Sequence, residues 1–113
     1  MANVYKNAKV DFTTTDNTTV YTSPSNSRAI IKSILVSDDS GSGDSINVTL
    51  TDASAAVFSL FKTKTIASNA TTELITQPIV LQESEILKAQ ATTADRLHMV
   101  VSLLEINLSL IHI

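Results

Sequence analysis

The sequence contains no cysteine and no tryptophan, and its 113 residues include only two glycines, two prolines and two histidines. Without cysteine there is no disulfide, no thiolate metal ligand and no cysteine nucleophile. Two histidines are too few for a His-rich metal site. The chain must therefore be held together by packing and hydrogen bonds, which a chain of this length can do with one modest core.

Positive charge and long hydrophobic runs are also scarce. Lys and Arg number 8 against 11 Asp and Glu, so the formal net charge is −3, whereas nucleic-acid binding requires a basic surface. No apolar run approaches the roughly 20 residues of a membrane span, and residues 1–6 lack the basic and apolar regions of a signal peptide. These absences predict a small soluble protein, made inside the cell, that binds neither nucleic acid nor membrane.

Hydroxyl side chains are unusually frequent in the sequence. The chain has 15 threonines and 14 serines, while charged residues make up only 17%. Threonine suits a pleated, half-buried surface and serine suits turns, whereas long helices require Ala, Leu, Glu and Lys in quantity. The composition therefore predicts an all-β protein with less than about a tenth of its residues in helix.

Period-two alternation divides the chain into about eight short strands. The predicted strands are 4–12, 18–22, 28–37, 46–51, 57–64, 72–76, 86–91 and 97–106, with a brief apolar segment at 79–81. Short strands at intervals of roughly 8–12 residues favour a β-sandwich or barrel. We expect one antiparallel β-sandwich domain over residues 1–106, with either jelly-roll or immunoglobulin-like connectivity.

The same alternation selects a core. One face of each main strand is apolar, and we expect these faces to fill the space between the two sheets. The predicted core is Ile34, Val36, Val48, Leu50, Phe58, Leu60, Leu87, Met99 and Val101.

No pattern of catalytic or metal-binding residues stands out. His98 and Ser102 share a strand face but lie about 13 Å apart, too far for a nucleophile–base hydrogen bond. Asp38, Asp39 and Asp44 surround the two glycines, but their spacing departs from a calcium loop and suits a tight turn between strands. The sequence therefore predicts no enzymatic activity, no metal and no cofactor.

Two predicted strands are apolar on both faces, although the core can cover only one face of each. Residues 28–37 and 97–104 are apolar on both sides, and a sandwich has one interior. In a monomer the second faces would leave Ile31, Leu35, Val100 and Leu104 in water, and exposed apolar surface of this kind marks an interface. We expect these four residues to form the contact of a homo-oligomer, preferably a trimer; the alternative is that a loop or the N-terminal arm covers them.

Four segments of the chain carry a resemblance to a known family: residues 4–7 (VYKN), 19–24 (TVYTSP), 29–37 (AIIKSILVS) and 100–106 (VVSLLEI). They resemble small virion structural proteins of tailed phages, especially marine and cyanobacterial ones, and the resemblance extends over nearly all of 1–106. It implies a β-sandwich that is incorporated into the virion, often as a multimer. No functional motif accompanies it, so no binding residue is assigned.

The resemblance implies a non-enzymatic function. The expected partners are copies of the chain and either the major capsid protein or neck and tail proteins. We prefer capsid decoration, in which binding to the assembled shell lowers its free energy. A neck, tail or baseplate accessory role is the alternative within the particle. A carbohydrate-binding module of a fibre is the alternative outside it, although Tyr5, Tyr21, Phe12, Phe58 and Phe61 are the only aromatic side chains available to stack on a sugar.

The C-terminal residues are unlike the rest of the chain. Residues 108–113 (LSLIHI) read like the translation of a transposase end sequence used in preparing sequencing libraries. We therefore expect the domain to end near residue 106, with 107–113 a tail that is foreign to it. The alternative is a genuine apolar extension of the last strand.

Overall fold

A computed structural model describes residues 2–108, which form nine β-strands and contain no helix. The strands are β1 (Ala2–Asp11), β2 (Thr18–Thr22), β3 (Ser27–Asp38), β4 (Asp44–Thr51), β5 (Val57–Ile66), β6 (Thr71–Glu73), β7 (Ile79–Leu81), β8 (Ile86–Ala91) and β9 (Leu97–Asn107). The predicted all-β class is confirmed. Residues 109–113, which include most of the unusual tail, lie outside the described part of the chain.

The strands form two antiparallel sheets packed as a sandwich. Sheet 1 has the order β1-β9-β3-β6, with β7 also paired to β3, and sheet 2 has the order β2-β8-β4-β5. If β6 and β7 are counted as one interrupted strand, the fold has eight strands, which pair from the two ends of the chain inwards. The pairs are β1 with β9, β2 with β8, β3 with β6 and β7, and β4 with β5. This is a long hairpin rolled into two sheets, the connectivity of a jelly roll. The topology thus selects the jelly roll from the two connectivities that the sequence allows.

One hydrophobic core fills the space between the sheets. Six of the nine predicted core residues are buried in it: Ile34, Val36, Val48, Leu87, Met99 and Val101. Leu50 and Leu60 are half-buried and pack against it. In β9 the strict alternation of Leu97, Met99, Val101 and Leu103 into the core holds along the strand, as period two predicts.

A β-bulge in β3 makes one part of the interface prediction wrong. Ile31 is paired with Leu103 and Ser33 with Ser102, so Lys32 is an extra residue without a counterpart on β9. The extra residue inverts the alternation: Ala29 and Ile31 face the core before it, and Ile34 and Val36 after it. Ile31 is fully buried and cannot lie on an exposed contact surface.

Phe58 is also misplaced by the sequence-based prediction. The side chain is 54% exposed rather than buried. It lies on β5, which is the edge strand of sheet 2, and β5 carries register shifts opposite β4 that interrupt its alternation. The half-buried Leu60 and Phe61 and the buried Ile66 supply the core contacts of β5 instead.

The gap between β6 and β7 is closed by a side chain. These two strands pair with residues 35–37 and 29–31 of β3, which leaves the middle of β3 without a strand partner on that side. The Glu73 carboxylate accepts hydrogen bonds there from the backbone N–H of Ile34 at 2.7 Å and from the Ser33 hydroxyl. The backbone N–H of Leu74 donates to the Ile34 carbonyl at 2.9 Å. Glu73 and Leu74 thus satisfy backbone groups that a continuous strand would have paired.

Candidate interaction surface

The side of sheet 1 that faces away from sheet 2, here called the outer face, presents side chains in rows that cross β1, β9, β3 and the β6–β7 edge. Each row is named for its member on β9, and the pairing register defines it. The Leu104 row holds Tyr5, Leu104, Ile30 and Val80; the Ser102 row holds Asn7, Ser102 and Ser33; the Val100 row holds Lys9, Val100, Leu35 and Glu73.

The apolar side chains of the outer face lie in two of these rows. In the Leu104 row, Tyr5 is 77% and Val80 54% exposed, and Ile30 and Leu104 are half-buried. In the Val100 row, Val100 and Leu35 are 38% and 39% exposed and lie directly opposite each other on β9 and β3. Three of the four predicted interface residues, Leu35, Val100 and Leu104, thus share this face, while Ile31 lies beneath it.

The charges of the outer face are separated along the strands. Arg28 and Lys32 lie in the half of β3 that carries the Leu104 row, whereas Glu73, Asp11 and Asp39 lie towards the opposite end. Lys9 is the exception, since it belongs to the Val100 row on β1. The face therefore combines apolar rows with positive charge near one end and negative charge near the other.

His98 lies on this face between two carboxylates. Its Nε2 is 3.1 Å from Asp11 Oδ1 and its Nδ1 is 3.6 Å from Asp39 Oδ2. Both ring nitrogens are therefore directed at carboxylates rather than at a serine, and the carboxylates approach opposite nitrogens of the ring. Ser102 lies two rows away along β9, consistent with the sequence-based separation.

The acidic loop after β3 is organised around Asp38. Its carboxylate accepts hydrogen bonds from the Ser40 hydroxyl and from the backbone N–H groups of Ser40 (3.0 Å), Gly43 (2.8 Å) and Asn69 (3.2 Å). The Ser40 bonds lead in lowering the pKa of Asp38 to about 2. Among residues 2–108 no group of three His, Asp or Glu side chains is placed to hold a metal ion.

Asp39 and Asp44 have partners of their own. Asp39 faces His98, and Asp44 accepts from the backbone N–H of Thr93 at 2.8 Å. The three loop carboxylates therefore serve separate contacts, and Asp38 acts as the acceptor that shapes the turn.

A network that the sequence did not reveal joins the sheets at one end. Tyr21 of β2 donates its hydroxyl hydrogen to Glu105 of β9, and Lys6 Nζ of β1 lies 3.2 Å from the same carboxylate. Burial and the nearby carboxylate raise the pKa of Tyr21 above its usual 10.0. The Tyr21 hydrogen bond and the Lys6 ammonium lower the pKa of Glu105. The three residues are distant in sequence, so no local pattern predicts the contact.

Among residues 2–108 the exposed aromatic side chains do not share a sheet. Phe12 is buried in the core, and the Tyr21 hydroxyl is engaged by Glu105. Tyr5 lies on sheet 1 and Phe58 at the free edge of sheet 2. Stacking on a sugar ring would therefore depend on single aromatic residues.

The part of the chain that the structure describes contains no helix long and apolar enough to cross a membrane. No protein-family model matches the chain, and no curated protein matches it. A solved structure of Bacillus endospore appendages, which form a novel family of disulfide-linked pili, is similar in fold, with a TM-score of 0.56, 12% sequence identity, and coverage of 95% of this chain and 89% of that one. This likeness extends over the whole sandwich and concerns the fold.

Proposed function

We propose that this protein is a non-enzymatic structural protein that acts by packing against other proteins, foremost copies of itself. The observation that carries the proposal is the outer face of sheet 1, where Val100, Leu35, Tyr5 and Val80 remain exposed. Fully burying an apolar side chain of this size contributes roughly 1.5–3 kcal/mol. Contact with a second copy would thus recover free energy that the monomer leaves unused.

The similar structure supports an assembly role. Its subunits belong to pili, and a pilus is built from repeated protein contacts. The present chain has no cysteine, so disulfide linkage of the kind named for those pili is not available to it.

The finer proposal is a place in a tailed-phage virion, and it is supported by the sequence resemblance of residues 4–7, 19–24, 29–37 and 100–106. Within the virion, decoration of the capsid is preferred over a neck, tail or baseplate role. A subunit of a bacterial surface fibre is the second candidate, favoured by the similar pilus structure. Electron microscopy of the purified protein separates the two, because closed oligomers are expected for decoration and open filaments for a fibre.

Substitution of Leu35 tests self-association directly. We expect the protein to sediment above the 12.1 kDa of a monomer at tens of micromolar, and Leu35→Asp to sediment as a monomer, because the substitution replaces an apolar contact with a second carboxylate opposite Glu73. Analytical ultracentrifugation measures the mass, and circular dichroism establishes that the fold is kept.

Val57→Asp is the matched control. Val57 is 63% exposed on β5 of sheet 2, so the same kind of change away from the outer face should leave the mass unchanged. A monomeric wild-type protein at hundreds of micromolar contradicts the proposal. The mass also decides the number of copies, for which the sequence-based expectation of three is untested.

A further inference from the structure

The rows of the outer face are spaced symmetrically about Ser102. On β9, Val100 and Leu104 each lie two residues from Ser102, which is about 7 Å along the strand. On β3, Leu35 is two residues from Ser33 and Ile30 is three, but the bulge at Lys32 absorbs the extra residue and keeps both in register with β9. An apolar row thus lies at the same distance on either side of a polar one.

We infer that two copies pack their outer faces together about a two-fold axis that crosses the strands at the Ser102 row. This inference rests on the proposed self-association. In this arrangement β9 of one copy lies over β9 of the other and runs in the opposite direction. The Leu104 row of each copy then meets the Val100 row of the other, so that Val100 packs on Leu104 and Leu35 on Ile30 of the second copy, while Val80 lies over Glu73 at the edge. Sheets that pack face to face interdigitate their side chains in this way.

The charges fit the same arrangement. Lys9 of one copy comes over Tyr5 of the second copy, both on β1, and an ammonium over an aromatic ring is attractive. Lys32 comes over the middle of β3, beside Glu73 of the second copy. Arg28 comes over the Ser37 end of β3, where Asp39 of the second copy is within the reach of an arginine side chain. Because of the two-fold axis, each of these three contacts occurs twice in the dimer.

The other two-fold arrangement of the same faces also brings apolar side chains together, but it pairs fewer of the charges. With the axis parallel to the strands, Lys9 would meet Glu73 of the second copy, and Leu104 would meet Ile30, Val100 would meet Leu35 and Tyr5 would meet Val80. Arg28, however, would then face Ile106, and Lys32 would face the middle of β9, where the outward side chains of Ser102 and Leu104 carry no charge. Two cations would thus lose their acidic partners, and opposite charges across an interface fix its register.

A charge-reversal mixture tests the axis. Arg28→Asp alone places two carboxylates together in each contact, and Asp39→Arg alone places two cations together. We expect each variant to raise the dissociation constant of the pair about tenfold or more. When the two variants are mixed, Arg28 of one variant meets Asp39 of the other, and the two reversed residues meet each other. Both contacts are restored, so the mixture should pair within about threefold of the wild-type constant.

Lys62→Asp is the matched control. It changes the net charge as much as Arg28→Asp does but lies on β5 of sheet 2, so it should neither weaken pairing nor rescue Asp39→Arg. Sedimentation equilibrium gives the constants, and thermal unfolding by circular dichroism shows that each variant is folded.

The outcomes separate this inference from the function on which it rests. Single variants that pair as tightly as the wild type overturn the two-fold axis but leave self-association standing, as does a trimeric mass. A wild-type protein that stays monomeric at hundreds of micromolar overturns both. Weak single variants whose mixture regains the dimer support the axis.

Discussion

Phe58 and Met99 are both apolar residues in alternating segments, yet the structure gives them opposite environments. Met99 is buried on β9 at the centre of sheet 1, whereas Phe58 is 54% exposed on the edge strand β5. Alternation specifies which side chains share a face, but it does not specify whether another sheet covers that face. The exposure of Phe58 depends on the position of β5 in the sheet, which follows from pairings distant in sequence.

Alanine substitutions distinguish the two environments. We expect Met99→Ala to lower the free energy of unfolding by about 2–5 kcal/mol, since it leaves a cavity in a packed core. Phe58→Ala should cost less than about 1.5 kcal/mol, because half of the ring is already in water. Urea denaturation followed by circular dichroism measures both values. A loss at Phe58 as large as that at Met99 would contradict the placement of β5.

At the scale of single elements, β3 departs most from its sequence pattern. The run of residues 28–37 is apolar on both sides and so predicts a central strand, and the structure confirms that position between β9 and the β6–β7 edge. The sequence of β3 does not reveal the bulge at Lys32, because both faces of the strand are apolar and either register satisfies a two-sided pattern. For this reason the alternation alone predicts the wrong face for Ile31.

The middle of β3 also depends on Glu73 in place of a strand partner. We expect Glu73→Ala to expose the backbone N–H of Ile34 and to lower its protection against hydrogen exchange about tenfold to hundredfold, the equivalent of one charge-assisted hydrogen bond. Glu73→Gln retains an acceptor oxygen and should lose less. Native-state exchange followed by nuclear magnetic resonance gives the protection of each amide. Equal protection of Ile34 in the wild type and the alanine variant would show that the carboxylate does not close the gap.

For the whole molecule, composition and alternation predict the class and most of the core, but not the connectivity. The choice of a jelly roll depends on the pairing of β1 with β9 and of β2 with β8. Each of these pairs joins segments from near opposite ends of the described chain. The local sequence of either strand does not indicate which strand it will pair with. The sequence predicts only part of the outer face. Alternation predicts Leu35, Val100 and Leu104. The neighbouring Tyr5, Val80 and Glu73 lie on this face because of non-local strand pairings.

The dependence of stability on pH is a property of the whole molecule. The pKa of Asp38 is lowered from 3.8 to about 2 in the folded protein, and that of Glu105 is lowered as well. Their contribution is present above the unfolded pKa values and is lost as the pH falls through the folded ones. The pKa of Tyr21 is raised from 10.0, so its contribution is present below pH 10 and is lost at higher pH. We expect a plateau of stability between about pH 5 and pH 10.

Two variants identify which side chains produce the acid and the alkaline decline of this stability profile. Asp38→Asn should lower the plateau and make the decline below pH 5 shallower, and Tyr21→Phe should remove the decline above pH 10. Urea midpoints at half-unit intervals from pH 2 to pH 11 give the profiles. An acid limb that is identical in the wild type and Asp38→Asn would mean that other carboxylates produce it.

The position of β9 between β1 and β3 has a consequence for the synthesis of the protein. Because β9 is the last strand of the jelly roll in sequence and a central strand of sheet 1 in space, β1 and β3 have no neighbour to join them while the ribosome is still translating residues 97–107. Until β9 has been made, β3 of the nascent chain lacks its pairing with that strand. Pairings between strands this distant in sequence form slowly. Sheet 1 can therefore be completed only after its final strand has been translated.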